Sequence, residues 1–135
     1  MPILVDTGIL YALADQDDAW HVRAREWLDG ISELLIVAVT VLPEITYLLH
    51  ARLGAQAEQR FIASVLAGDL ELDMLKVRDI SRAHELMARY PDLGFVDLTL
   101  VAAAERLKIR TIATTDRRHF ARLAPKHVPA FDLVP

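Results

Sequence analysis

Ile3-Leu4-Val5-Asp6 is the stretch that determines the fold, because three consecutive apolar residues end directly at a carboxylate. A short apolar run of this kind predicts a buried strand, and an acid at its end is tethered to the core. Carboxylates held close together repel one another unless a cation or a proton joins them, so further acids at such positions would indicate a metal site. Three more apolar segments end in this way: Val41-Leu42-Pro43-Glu44, Gly94-Phe95-Val96-Asp97 and Ile112-Ala113-Thr114-Thr115-Asp116.

Strand-like segments alternate with helical patterns along the whole chain. The patterns predict strands at 3–5, 34–39, 70–75, 111–113 and 130–133. Helices are predicted from Asp17 or Asp18 to 28, and at 40–53, 55–67, 80–90, 95–107 and 117–123. Such alternation is typical of an α/β fold, here a three-layer α/β/α sandwich with a mostly parallel central sheet and a single domain over residues 1–135.

The predicted topology places the four acids at the same edge of the sheet. Asp6 and Asp116 follow strands, whereas Glu44 and Asp97 lie in the first turns of helices that begin at the same edge of the sheet. Ligands of parallel α/β sheets collect at that carboxyl edge. Any one of these acids has a simpler interpretation, because a helix N-terminus favours negative charge. Four acids at one edge favour a site.

The composition of the site determines which ion it suits. Carboxylates without cysteine or histidine partners suit Mg²⁺ or Mn²⁺, which prefer oxygen ligands. The five histidines form no His-x-x-x-His pair, and none is assigned to metal. A carboxylate-bound Mg²⁺ or Mn²⁺ lowers the pKa of a bound water and offsets charge on a leaving oxygen, which is the chemistry of phosphodiester hydrolysis.

Composition and charge narrow the class of protein further. The chain of 135 residues has no cysteine, so it contains neither disulfides nor thiolate metal sites. It shows no positively charged leader and no apolar stretch long enough to span a membrane, so we expect a cytoplasmic protein. The net charge is −4, yet residues 105–126 carry seven basic and two acidic side chains. Arg117, Arg118 and Arg122 are either phosphate contacts or a solvated helix face.

The ordered motifs together resemble a known family. They are Leu4-Val5-Asp6-Thr7, Pro43-Glu44, the stretch from Tyr90 to Asp97 followed by an Ala-rich helix, and Thr114-Thr115-Asp116-Arg117-Arg118-His119-Phe120. The sequence resembles the PIN-domain ribonucleases, and within them the VapC toxins, from Ile3 to about Phe131.

The resemblance implies a function and a set of site residues. It implies a metal-dependent endoribonuclease, the toxin of a VapBC-type pair, that cuts RNA with a metal-activated water. It also implies a homodimer and a cognate VapB-like antitoxin. Thr7 and Thr115 match hydroxyl positions beside the first and last acids, and they are equally well explained as helix-start and turn hydroxyls. The implied catalytic and metal-binding residues are Asp6, Glu44, Asp97 and Asp116.

Other classes of protein fit the sequence less well. An aspartyl-nucleophile phosphatase needs a second acid two residues after the first, and position 8 is glycine. A phospho-accepting receiver needs an Asp at the end of its third strand and a Lys at the end of a late strand, and neither is evident. The remaining alternative is a catalytically silent PIN-like module that binds RNA or protein. Asp92, in the loop before Asp97, is a helix cap, a water-mediated metal contact or a solvated acid.

Overall fold

The computed structural model describes residues 1–135 and contains five strands and seven helices. None of these helices combines the length and the apolar character needed to cross a membrane. In chain order the elements are β1 Ile3–Val5, α1 Thr7–Ala14, α2 His21–Gly30, β2 Leu35–Ala38, α3 Val41–Leu53, α4 Ala55–Leu66, β3 Glu71–Asp73, α5 Val77–Arg89, α6 Phe95–Leu107, β4 Thr111–Ala113, α7 Arg117–Ala121 and β5 Asp132–Val134.

The five strands form one sheet in the order β3-β2-β1-β4-β5, and every pair is parallel. Ile3 pairs with Leu35 on one side and with Thr111 on the other, so β1 is the central strand. The chain builds the sheet outward from β1 in one direction and later adds β4 and β5 in the other. This reversal creates a crevice at the carboxyl ends of β1 and β4, where α/β sheets bind ligands.

Helices cover both faces of the sheet. Every residue of β1 and β2 is buried, and because successive strand residues point to opposite faces, both faces must be covered. The strongly apolar α6 is buried from Leu98 to Ala104 and packs against β2 and α5. The predicted α/β sandwich with a parallel sheet is confirmed.

The helix that follows β1 was not predicted. The sequence predicts a first helix from Asp17 or Asp18, whereas α1 already begins at Thr7 and α2 begins at His21. Asp18 accepts a hydrogen bond from the Trp20 amide (2.8 Å) and so belongs to the turn between the two helices. Most of α1 is buried, so its sequence Thr-Gly-Ile-Leu-Tyr-Ala-Leu-Ala lacks the polar face that gives a helical pattern.

A second difference is the start of α5, which begins at Val77 although the apolar spacing predicts residue 80. The Asp79 carboxylate accepts a hydrogen bond from the Lys76 amide (3.0 Å) and so caps the first turn. The other predicted elements are present with small shifts, including the edge strand, which is found at Asp132–Val134 in place of 130–133.

Buried ion pairs join α5, α6 and the end of β3. The Arg106 guanidinium donates hydrogen bonds to Asp73 Oδ2 (2.6 Å) and to Asp79 Oδ2 (3.0 Å), and Arg82 donates to Glu105. The Asp79 side chain is only 3% exposed. Burial alone would raise the pKa of Asp79, but the hydrogen bonds from Arg106 and the Lys76 amide outweigh it and hold that pKa below its usual value.

Candidate metal centre

Asp6 is the most buried member of the predicted quartet, with 6% of its surface exposed. Its amide continues the strand by donating to the Ala113 carbonyl (2.9 Å), which fixes the residue at the carboxyl edge between β1 and β4. Its Oδ1 accepts a hydrogen bond from the Thr7 amide (2.8 Å) and so caps α1. The Asp6 carboxylate can therefore cap α1 and also serve as a metal ligand.

Glu44 lies in the first turn of α3 and is exposed. The Thr7 hydroxyl donates a short hydrogen bond to Glu44 Oε1, which ties this carboxylate to the residue next to Asp6. Thr7 thus orients an acid of the predicted set, and its own side chain is buried at 6% exposure.

Asp97 lies in the first turn of α6 and is half-buried. Burial raises the pKa of Asp97, and the charges of Asp116 and Glu44 raise it further, while His119 acts in the opposite direction. The largest of these charge effects on Asp97 comes from Asp116. Convergence of all four acids on one ion remains a prediction.

Asp116 caps the short helix α7 by accepting a hydrogen bond from the His119 amide (3.2 Å). This turn also brings the His119 ring back over the acid, where Nδ1 lies 2.7 Å from Asp116 Oδ2. One ligand atom each from Asp97, Asp116 and His119 lie within 4.8 Å of one another. His119 is therefore part of the site region, although the sequence pattern assigns no histidine to metal.

Thr114 connects the first and the last acid of the quartet. Its hydroxyl donates to Asp6 Oδ2 (2.9 Å) and accepts from the Asp116 amide (2.9 Å), and the side chain is fully buried. The family resemblance points to Thr115 as a supporting hydroxyl, with a turn hydroxyl as an equal alternative. Thr115 makes no hydrogen bond to an acid; its hydroxyl packs against Gly8, where an added Cβ would overlap it. The sequence did hold a signal for this role, because Thr114 follows β4 at the same level of the sheet at which Asp6 follows β1.

We predict that Thr114→Val lowers the free energy of unfolding by about 1–3 kcal/mol, because it leaves one oxygen of the buried Asp6 and the partly buried Asp116 amide without their partner. The matched variant Thr115→Val should change the free energy of unfolding by no more than about 0.5 kcal/mol. Urea unfolding of both variants provides the comparison, and equal losses would contradict the assignment of the bridging role to Thr114.

The predicted phosphate contacts differ in their surroundings. Arg122 is paired with Asp92 through two hydrogen bonds of 2.8 and 3.0 Å, and Arg117 donates a short hydrogen bond to the Pro135 carbonyl. Arg118 is exposed and has no ion-pair partner within 4.0 Å. Asp92 is an exposed ion-pair acid, an arrangement that was not among its predicted alternatives. Of the three arginines, Arg118 is the most available to an RNA phosphate.

Comparison with known proteins gives the family. A family profile described as PIN domain matches residues 3–126, which is most of the chain. The chain belongs to the PIN domain family. Ribonuclease VapC26 of Mycobacterium tuberculosis (strain ATCC 25618 / H37Rv) is 32% identical to this PIN domain over 135 residues, covering 98% of this chain and 100% of the relative. The predicted resemblance is confirmed.

Solved structures agree with the fold of this PIN domain. The Mycobacterium tuberculosis VapC20 structure, a toxin described as cleaving the sarcin-ricin loop, superposes with a TM-score of 0.76 at 26% identity, covering 82% of this chain and 86% of that one. A toxin-antitoxin complex from Klebsiella pneumoniae gives a TM-score of 0.71 at 18% identity, with 96% and 98% coverage, and at that identity it supports the fold alone.

The charges of the PIN-domain site fit a divalent cation. Burial raises the pKa of Asp6 from 3.8 to about 6; repulsion from Asp97 and Glu44 adds to this, while hydrogen bonds from Thr114 and the Thr7 amide act against it. Keeping such a carboxylate ionised, chiefly against its burial and secondly against its acidic neighbours, is a cost to the folded state. A bound cation removes that cost, and four carboxylates are a donor set that suits Mg²⁺ or Mn²⁺.

This cost makes the stability of the metal-free protein depend on pH. Because the folded-state pKa of Asp6 lies above its unfolded value, the folded protein binds more protons between about pH 4 and pH 6, and its free energy of unfolding falls as pH rises through that window. A shift of this size corresponds to roughly 3 kcal/mol at neutral pH. Asp6→Asn should remove most of that fall.

Urea unfolding in EDTA between pH 4 and pH 7.5 measures this effect. Asp17→Asn, which changes an exposed acid in the loop after α1, serves as the control and should keep the wild-type slope. Identical pH dependence in wild type and Asp6→Asn would show that ionisation of Asp6 does not cause the fall in the free energy of unfolding.

Proposed function

We propose that this protein is a metal-dependent endoribonuclease, the toxin of a VapBC-type toxin-antitoxin pair that acts on cytoplasmic RNA. The observation that supports the proposal is the grouping of Asp97 and Asp116 with His119, one ligand atom each lying within 4.8 Å of the others, in a PIN-domain chain similar over its whole length to Ribonuclease VapC26. Asp6, Glu44, Asp97 and Asp116 are the proposed metal-binding and catalytic residues.

The chain's own residues prepare the site in two ways. Asp6, Asp97 and Asp116, with Glu44, would hold Mg²⁺ or Mn²⁺. When bound, the metal lowers the pKa of a water and offsets charge on the leaving oxygen. The hydroxyls of Thr7 and Thr114 hold Glu44, Asp6 and the Asp116 segment in place. Because these hydroxyls already hold the acids in place, the carboxylates do not have to move when the reaction takes place.

The proposed reaction fixes the chemistry of the products. The attacking water gives up one proton to solvent as its oxygen bonds to phosphorus. The bond from phosphorus to the 3′-oxygen breaks, and that oxygen takes up a proton from solvent and leaves as a hydroxyl. The fragments therefore carry a 5′-phosphate and a 3′-hydroxyl. Arg118 is the proposed contact to a neighbouring RNA phosphate, with Arg117 available if its bond to the Pro135 carbonyl opens.

End-group analysis of the cleaved RNA tests this proposal. Total bacterial RNA is incubated with the purified protein and Mn²⁺, and the fragments are ligated to adapters that require a 5′-phosphate. Ligation at discrete positions is the expected result. Fragments that end in 2′,3′-cyclic phosphate would instead indicate attack by the RNA 2′-hydroxyl and would overturn the water mechanism.

The proposed antitoxin has a candidate docking surface. A cleft of about 540 Å³ lies between α1, α2 and α4 and is lined mostly by apolar side chains, among them Leu13, Trp27 and Phe61. An apolar cleft of this size suits an apolar helix or strand of a partner. Inhibition of cleavage by one equivalent of the cognate antitoxin is the expected result, and unchanged cleavage would argue against the toxin role.

We also propose a homodimer. Leu66 and Val77 are each 83% exposed and Met74 is 59% exposed, so apolar side chains near β3 are open to solvent in the single chain. Burying such side chains in a self-complementary interface would remove apolar surface from water. Light scattering should give twice the chain mass at micromolar concentration, and a monomer mass would contradict the dimer.

A further inference from the structure

The imidazole of His119 has a buried nitrogen without a hydrogen-bond partner. Nδ1 is shielded from solvent and makes no hydrogen bond, although Asp116 Oδ2 is only 2.7 Å away. A buried polar atom of this kind normally has a partner. A partner for Nδ1 would have to lie between the ring and the neighbouring carboxylates of Asp97 and Asp116.

A simple ion pair with Asp116 explains the arrangement poorly. Asp116 already caps α7 through its Oδ1, which accepts from the His119 amide, so the turn of the chain places the ring beside the acid without help from Nδ1. An ion pair would also be expected to align the Nδ1 hydrogen with the carboxylate, and that alignment is absent. His119 Nδ1 and Asp116 Oδ2 are therefore close together without bonding to each other, which is the arrangement of two atoms that bind the same ion.

The separations match the ligand shell of one octahedral ion. With metal-ligand bonds of about 2.1 Å, neighbouring ligand atoms are about 3.0 Å apart and opposite ones about 4.2 Å apart. Nδ1 and Asp116 Oδ2 are 2.7 Å apart, and the atoms offered by Asp97, Asp116 and His119 lie within 4.8 Å of one another. Shifts of a few tenths of an ångström bring all three into one shell.

We propose that His119 Nδ1 is a direct ligand of the divalent ion, shared with Asp97 and Asp116, so that the centre has one nitrogen donor beside its carboxylates. The proposal rests on the metal-dependent function proposed above. The ring coordinates in its neutral form, with the proton on Nε2. A nitrogen donor favours Mn²⁺ and other transition metals over Mg²⁺, which strongly prefers oxygen.

Pulsed electron paramagnetic resonance of Mn²⁺ bound to the full chain tests the ligand directly. A coordinated imidazole adds a ¹⁴N modulation to the electron spin echo of Mn²⁺, and we expect this modulation in the wild type. It should disappear in His119→Gln and persist in His84→Gln, which changes an exposed histidine of α5. This readout needs no RNA and no cleavage.

Affinity gives a second readout. Equilibrium titration should show that His119→Gln weakens Mn²⁺ binding by about tenfold or more, since even loss of a supporting contact in a metal site costs that much. Mg²⁺ binding should weaken less. Equal weakening for both ions would overturn the proposed metal preference.

The outcomes separate this inference from the proposed function. Bound Mn²⁺ without ¹⁴N modulation in the wild type would overturn the assignment of His119 and leave the carboxylate centre standing. An Mn²⁺ spectrum that remains that of the free ion at millimolar concentration would overturn the metal centre and the histidine ligand together.

Discussion

Replacing Asp97 by Asn should lower the rate of RNA cleavage by at least about a thousandfold while the protein stays folded. Metal assistance contributes several kcal/mol to the stabilisation of a phosphoryl transition state, and each 1.36 kcal/mol is a factor of ten in rate. Because burial and the charges of Asp116 and Glu44 raise the pKa of Asp97, removing its charge should leave the melting temperature in EDTA unchanged or higher. Single-turnover cleavage of a mapped RNA substrate measures the rate.

Asp92→Asn provides the matched control for this experiment. Asp92 belongs to the loop before α6, is exposed and pairs with Arg122, which holds its pKa at about 2. Loss of an exposed ion pair has little energetic effect, so cleavage should stay within about twofold of the wild type. If a well-folded Asp97→Asn protein cleaves as fast as Asp92→Asn, the site assignment is wrong.

Replacing Arg106 by Met should lower the free energy of unfolding by about 3–5 kcal/mol at neutral pH, because two acids with little exposure lose their partner. The side chains of Asp73 and Asp79 are 16% and 3% exposed, and both accept hydrogen bonds from Arg106. The folded-state pKa of Asp79 lies below its usual value, so the stability it provides is present above about pH 4 and is lost as pH falls further. The effect of Arg106→Met should accordingly shrink in acid.

Arg25→Met tests whether this loss is specific to the buried network. Arg25 forms an exposed pair with Asp29 four residues along α2, with side chains 50% and 68% exposed. Its replacement should change the free energy of unfolding by no more than about 0.5 kcal/mol. Urea unfolding at pH 7 and at about pH 2.5, below the ordinary pKa of an Asp, compares the two variants. A loss below about 1 kcal/mol for Arg106→Met at pH 7 would mean that water or a rearrangement satisfies the acids.

The sequence predicted the central strands best, because β1 and β2 are short, fully buried apolar runs. Ile3–Val5 and Thr111–Ala113 match the predicted strands residue for residue. α1 was missed because a helix buried on most sides has no polar stripe and so lacks the apolar periodicity that predicted the other helices.

For the candidate site, sequence reasoning could place backbone positions and could not place side-chain partners. The edge of the sheet that carries Asp6 and Asp116 follows from strand order alone. Which of two adjacent threonines faces the acids depends on the pleat of β4, and the structure selects Thr114. The pairing of Arg122 with Asp92 joins residues thirty positions apart, and no local pattern encodes such a contact.

The proximity of His119 to two acids was also hidden, because its spacing from Asp116 resembles that of an ordinary helix cap. The ion pairs of Arg106 depend in the same way on how α5 and α6 pack. The family resemblance predicted the function. It could not predict the contacts of His119 and Arg106, because these depend on how this chain packs.

The most direct test of the central claim, that the converging carboxylates cut RNA through a divalent ion, is removal and restoration of the metal in one sample. Purified protein cleaves total bacterial RNA in the presence of Mn²⁺, is then treated with excess EDTA, and finally receives Mn²⁺ in excess over the chelator. We predict discrete fragments that cease to form in EDTA and form again at the same positions on restoration. Cleavage that continues unchanged in EDTA, with contaminating nuclease excluded by the Asp97→Asn protein prepared in parallel, would contradict the claim.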